Sequence, residues 1–231
     1  MSPPLLTVAH RGWPTRYPDN TLSGFLAASV VADAIELDVR RSWDGKLALS
    51  HDPDLVGMVV SETPWSVLSE LDLGGGHHPV LLDEALAALP TTAVQIEIKN
   101  DPGEPGYEPD HRLALEAADR ARSGDIVTSF NPETLEAVRR AYELVPTGLA
   151  VEGASPVDEH VRQCVDAGHL ALVPDHLMLE QPLELARKEG VDVFPWTVND
   201  PDRVRELVEL GASGIIGDDP QLTLTTLEGM T

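Results

Sequence analysis

Two stretches, Ala34-Ile35-Glu36-Leu37-Asp38-Val39 and Val94-Gln95-Ile96-Glu97-Ile98-Lys99, decide how the chain folds. Successive side chains of an extended strand point to opposite faces, so Ile35, Leu37 and Val39 share one face while Glu36 and Asp38 share the other. The second stretch repeats the arrangement, with Val94, Ile96 and Ile98 on one side and Gln95, Glu97 and Lys99 on the other. Two ionised carboxylates side by side in a packed interior repel each other and lose hydration. They must protonate, sit at a wet rim or share a cation.

Working outward, apolar runs of strand length recur at residues 5–9, 34–39, 93–98, 125–130, 147–151, 170–174, 191–198 and 213–216. Between them lie stretches with helical spacing at 20–32, 83–89, 110–122, 132–142, 156–167, 180–189 and 200–210. Pro132, Pro156 and Pro201 stand where a first helical turn tolerates proline, and Gly168, Gly190 and Gly211 stand where helices end. Strand and helix alternating in this way predict a parallel α/β sheet. Eight units in 231 residues match a small (β/α)8 TIM barrel, with functional residues at the strand C-termini and the loops after them. Residues 46–50 read as an extra short strand, and 55–80 as an excursion between the second and third barrel strands. An open doubly wound sheet is the alternative, but Arg11-Gly12-Trp13-Pro14 after the first strand is not its glycine-rich phosphate turn. No low-complexity linker divides the chain, and residues 1–231 are expected to form one domain.

The charge balance, 39 acidic against 16 basic residues for a net −23, repels nucleic-acid phosphates and anionic lipid surfaces. No nucleic-acid partner and no stable membrane association are expected. A single cysteine, Cys164, cannot form an internal disulfide, and residues 1–7 lack the basic and apolar regions of a secretion signal. Both features predict a cytoplasmic protein.

Three oxygen donors on adjacent strands, Glu36, Asp38 and Glu97, suit a hard divalent cation, Mg²⁺ or Ca²⁺. The bland alternative is a structural ion pair of Glu97 with Lys99 and loop hydrogen bonds for the other two. His10 ends the first strand and His51 the extra one, so both fall at the expected catalytic end, where two imidazoles can divide proton uptake and delivery. Arg11 offers a bidentate cation for phosphate. Other features read as structural. His77-His78 after three glycines diverge in a flexible connection, Cys164 fills the core, and 101–110, rich in proline and acid, reads as a solvated loop, with an overhang of the site as the alternative.

His10-Arg11-Gly12, Pro18-Asp19-Asn20-Thr21, Glu36-Leu37-Asp38, His51-Asp52 and Glu97-Ile98-Lys99 occur in that order, followed by Ser129-Phe130, Trp196-Thr197-Val198-Asn199 and Gly217-Asp218-Asp219-Pro220. In this the chain resembles the glycerophosphodiester phosphodiesterases, from His10 to Pro220. The resemblance implies a metal-dependent barrel enzyme that hydrolyses glycerophosphodiesters to sn-glycerol 3-phosphate and an alcohol. Glu36, Asp38 and Glu97 would hold the cation, His10 and His51 would be base and acid, Arg11 and Lys99 would bind phosphate, and Trp196 would pack against the glycerol. The sequence departs from the family pattern at Asp19, where glutamate is usual, in the segment after Asp52, and at Gly217, where threonine is usual. The altered segment leaves a lysophospholipase D-like activity as the alternative enzyme. A phosphate-binding barrel without turnover is the alternative of another class.

Overall fold

The alternation of strand and helix closes on itself. The computed structural model describes residues 5–230; the ends of the expected 1–231 domain, and the first four residues of the segment read for a secretion signal, lie outside the described residues. The strands are β1 (Leu6–Ala9), β2 (Ala34–Arg41), β3 (Leu47–Leu49), β4 (Asp54–Leu55), β5 (Met58–Val59), β6 (Ala93–Ile98), β7 (Ile126–Ser129), β8 (Thr147–Val151), β9 (Ala171–Pro174), β10 (Asp192–Val193) and β11 (Gly214–Gly217). Eight of them pair in parallel in the order β10-β9-β8-β7-β6-β2-β1-β11, while β3 runs antiparallel to β2. The ring closes between β11 and the segment after β10. Ser213 N–H donates to the Val193 carbonyl at 2.8 Å, Ile216 N–H to that of Pro195 at 3.0 Å, and Val198 N–H to that of Ile216 at 2.9 Å.

The helices are α1 (Leu22–Ala28), α2 (Trp65–Leu68), α3 (Leu82–Ala88), α4 (Arg112–Ala118), α5 (Pro132–Ala141), α6 (Val157–Ala167), α7 (Glu184–Glu189), α8 (Pro201–Leu210) and α9 (Pro220–Glu228). They cover the outward strand faces. Ile35, Leu37, Val39, Ile96 and Ile98 bury there against Phe25 of α1, Leu82 of α3, Leu113 of α4 and Leu135 of α5. Each such side chain contributes about 1.5–3 kcal/mol of burial. Inside the ring, Val8, Ala150, Val173 and Ile216 pack with Phe194 and Trp196. The excursion after β3 folds as the β4–β5 hairpin, a 3-10 turn and α2, around a small core of Ala48, Val60 and Leu68.

Boundaries differ from the sequence reading in places. The seventh strand is expected over 191–198 but only Asp192–Val193 pairs regularly. Pro195 has no N–H to donate, and the chain there changes partner. Phe194 and Trp196 donate to β9 residues Leu172 and Pro174, and Val198 donates to β11. The first helix starts at Leu22, because Asn20 adopts a left-handed φ of 56° and Thr21 caps the helix. Pro132 and Pro201 begin their helices, whereas Pro156 is the residue just before α6. The last helix, α9, was not anticipated; Asp219 caps it, accepting from the N–H groups of Gln221 and Leu222.

His169, buried just before β9, shares a hydrogen bond of 2.9 Å with Thr147 Oγ1. Burial, helped by the Arg139 charge, pushes its imidazole down to about 4. The unfolded chain accepts that proton at about pH 6.5, so the neutral ring contributes stability that is present above this pH and is lost as pH falls towards 4. His169→Gln is expected to narrow the loss of urea stability between about pH 7 and 4. An equal loss in both proteins would contradict this assignment.

Candidate active site

The strand period carries Glu36 and Asp38 of β2 and Glu97 of β6 into the barrel, with Asp38 and Glu97 paired in register. All three are buried, and each offers an oxygen within 4.8 Å of the others. Two cations face them. Lys99 Nζ pairs with Glu97 Oε1 and, at 3.0 Å, with Asp38 Oδ1. Arg11 Nε lies 3.3 Å from Asp38 Oδ2, an ion pair without hydrogen-bond alignment. Asn20 completes the surroundings of Asp38: its Nδ2 donates to Oδ2 at 2.9 Å and its Oδ1 accepts from the Asp38 N–H at 3.2 Å. The left-handed turn at Asn20 thus places both ends of the amide against one aspartate.

Electrostatics separate the carboxyls. Burial, with the charges of Asp38 and Glu97 behind it, raises Glu36 well above the usual carboxylate range. Burial also works against charge on Asp38, but Lys99 and Arg11 outweigh it and hold that group at about 2. Lys99 loses hydration too, yet Glu97 and Asp38 keep its ammonium charged beyond the ordinary range. Glu36 Oε2 accepts the Arg11 backbone N–H at 2.9 Å, while its buried Oε1 has no hydrogen-bond partner. A set of hard oxygen donors with one atom unmatched and three carboxylates against two cations fits a divalent cation.

His10 follows β1 at the same end. Its Nδ1 shares a hydrogen bond of 2.7 Å with Asp218 Oδ1, and Asn199 braces that aspartate through Nδ2 to Oδ2 at 2.6 Å and through the Asp218 N–H to its own Oδ1 at 2.9 Å. Burial opposes the Asp218 charge, but the bonds from His10 and Asn199 pull its carboxyl below the usual range. A carboxylate on Nδ1 fixes the tautomer and leaves Nε2 for chemistry. His51, just beyond β3, is more exposed and shares a hydrogen bond of 2.8 Å with Asp52. Asp218 and Asn199 were not singled out from sequence; the only signal was their presence in the strand-end motifs 196–199 and 217–220.

Seven of the expected residues, His10, Arg11, Glu36, His51, Glu97, Lys99 and Trp196, line one cleft of 670 Å³ at the strand C-termini, and Asp38 lies beneath them. Trp196 donates from Nε1 to the Val173 carbonyl at 2.9 Å and meets Phe130 edge to face at 5.6 Å. The 101–110 segment follows its alternative reading, an overhang of the site. Asp101, Pro102 and Glu104 form part of the cleft wall.

Two departures from the expected pattern acquire physical accounts. Asp19 reaches Arg11 Nη1 at 3.1 Å, and the carboxylate cluster is formed without it. A Cβ on Gly217 would stand 2.5 Å from the Val198 carbonyl, so threonine does not fit this strand spacing. Elsewhere, His77 packs edge-on against Tyr17, His78 bonds the Leu71 carbonyl, and burial pushes the Cys164 thiol up to about 12.

At the mouth of a parallel barrel a buried carboxylate triad stands beside two histidines and two cations, an arrangement that fits metal-assisted hydrolysis of a phosphoester. The sequence model of the glycerophosphoryl diester phosphodiesterase family matches residues 10–222. The chain belongs to this family. A glycerophosphodiester phosphodiesterase of Caldanaerobacter subterraneus is 29% identical, with 94% of this chain and 95% of that protein covered. The glycerophosphodiester phosphodiesterase structure from Thermotoga maritima has a TM-score of 0.80 at 26% identity, covering 97% of this chain and 99% of that one. An Oleispira antarctica phosphodiesterase, solved with its product sn-glycerol-3-phosphate, shares the fold with a TM-score of 0.84 at 21% identity and 97% of each chain covered. Among the described residues no helix is long and apolar enough to cross a membrane.

A cation that binds only the folded triad should stabilise it by about 2.7 kcal/mol at one hundred times its Kd. Mg²⁺, Ca²⁺ and Mn²⁺ titrations monitored by thermal melting are expected to show this gain, and Glu36→Gln is expected to diminish it. A melting temperature indifferent to every ion would identify a self-contained ion-pair network.

Proposed function

We propose that the chain hydrolyses glycerophosphodiesters to sn-glycerol 3-phosphate and an alcohol, with Glu36, Asp38 and Glu97 holding a divalent cation, Mg²⁺ or Ca²⁺. The observation that carries this reading is the buried triad flanked by His10 and His51 in one cleft. When bound, the cation draws charge from a non-bridging phosphate oxygen. Arg11 and Lys99, both at the triad, supply further positive charge for the phosphate, and the Trp196 ring offers a flat apolar wall for the glycerol carbons.

His10 acts as base and His51 as acid. His10, with Nδ1 held by Asp218, takes a proton from the attacking oxygen as that oxygen bonds to phosphorus; water gives sn-glycerol 3-phosphate directly, whereas the glycerol 2-hydroxyl gives a cyclic phosphate that water then opens. The bond from phosphorus to the alcohol oxygen breaks, and His51 at the more open rim delivers a proton to that oxygen. The reading takes residues 1–231 as one phosphodiesterase domain in the cytoplasm. The net charge of −23 favours a small dispersed substrate over nucleic acid or an anionic membrane.

His10→Ala and His51→Ala are each expected to lower kcat by about two to four orders of magnitude, the usual scale of acid–base catalysis, with the fold kept. Release of sn-glycerol 3-phosphate from choline, ethanolamine and glycerol diesters measures this. A p-nitrophenyl leaving group, which needs no proton, should rescue His51→Ala more than His10→Ala. Equal rescue would abolish the assignment, greater rescue of His10→Ala would reverse it, and no turnover of any diester with any divalent cation would overturn the function.

A further inference from the structure

Arg40 lies on the same face of β2 as Glu36 and Asp38, two residues beyond Asp38, and its side chain is only 7% exposed. A guanidinium is always charged, so burying it is costly unless its donors are used. Their use is specific. Nε and Nη2 both donate to the backbone carbonyl of His51, at 3.0 and 2.7 Å, and Nη2 also donates to Glu104 Oε2 at 2.8 Å.

His51 needs such an anchor. Its imidazole is tied to Asp52, a neighbour whose own side chain is 73% exposed and fixes little. The residue follows the last paired position of β3, where Val39 faces Leu49, and Ser50 N–H still reaches the Asp38 carbonyl at 3.1 Å. Beyond that bond, the Arg40 fork connects the His51 backbone to the strand that carries the metal carboxylates. The same guanidinium draws Glu104 of the 101–110 segment to the cleft wall.

We propose that Arg40 is a positioning residue for His51: its guanidinium, clamped on the His51 carbonyl, sets the distance of that imidazole from the carboxylate triad. The inference rests on the acid role of His51 proposed above. Arg40 acts through this backbone contact and not on the phosphate.

The test is a double-mutant cycle in the cation-loaded full chain, with Arg40→Met, His51→Ala and the double variant assayed on an alkyl diester and on a p-nitrophenyl diester. Arg40→Met is expected to lower kcat on the alkyl diester by about ten- to a thousandfold, to change KM by less than about threefold, and to leave the aryl diester near wild type. The double variant should fall no more than about threefold below His51→Ala. Arg40→Lys, which keeps the charge and one donor, should restore part of the loss; it also serves as the variant for the cycle if Arg40→Met does not fold. A rise in KM with kcat unchanged would make Arg40 a phosphate ligand and overturn the inference. So would losses that are equal on both substrates and multiply with those of His51→Ala. Intact turnover in His51→Ala would remove the acid role and this inference together, whereas an impaired His51→Ala beside multiplicative losses removes this inference alone.

Discussion

Three carboxylates confined within 4.8 Å inside a barrel repel one another, and much of the site answers that repulsion. Lys99 is the strongest reply, an ammonium between Glu97 and Asp38. Arg11 approaches Asp38 from the first loop, and Asn20 donates to the same group. Even so, Glu36 retains an unmatched buried oxygen. Removing one partner from a buried ion pair costs about 3–5 kcal/mol, because the other is left uncompensated. The cluster therefore carries more negative charge than its partners match, and a divalent cation fits it.

The fold makes this confinement possible by its period. β2 and β6 each turn apolar residues to the helices and polar residues inward, so the core and the site are built from alternate positions of the same strands. Everything else converges from the loops above them. The loop after β1 supplies His10 and Arg11, the β3 edge brings His51, and the segment after β6 contributes Asp101 and Glu104 to the cleft. Residues far apart in sequence complete single functional groups. His10 and Asp218 are separated by 208 positions yet share a hydrogen bond, because β1 and β11 are neighbours in the ring.

This distribution explains what could be read before the structure. The strands carrying the triad were legible because an apolar-polar alternation survives any tertiary context, and the boundaries of β6 and β8 match their expected spans. The seventh strand was overextended because apolar content does not reveal that Pro195 lacks a donor and that the backbone changes neighbour there. Glu36, Asp38 and Glu97 stand within β2 and β6, where the alternation turns them inward, and His10, Arg11, His51, Lys99 and Trp196 lie past the ends of β1, β3, β6 and β10. Their partners are not legible in this way. The bracing of Asp218 by Asn199 and the hold of Arg40 on the His51 carbonyl depend on inter-strand register and on backbone oxygens, which have no signature in residue identity. Composition favours a solvated 101–110 segment over an overhang of the site, and it cannot show that Arg40 captures Glu104.

Whether the triad shares a divalent cation is decided by a crystal structure of the chain soaked in Mn²⁺, with anomalous scattering used to locate the metal. One strong peak is expected in contact with carboxylate oxygens of Glu36, Asp38 and Glu97, with the Lys99 ammonium withdrawn from its position between Asp38 and Glu97. A peak elsewhere, or an empty triad with Lys99 still bound to both carboxylates at saturating metal, would contradict it.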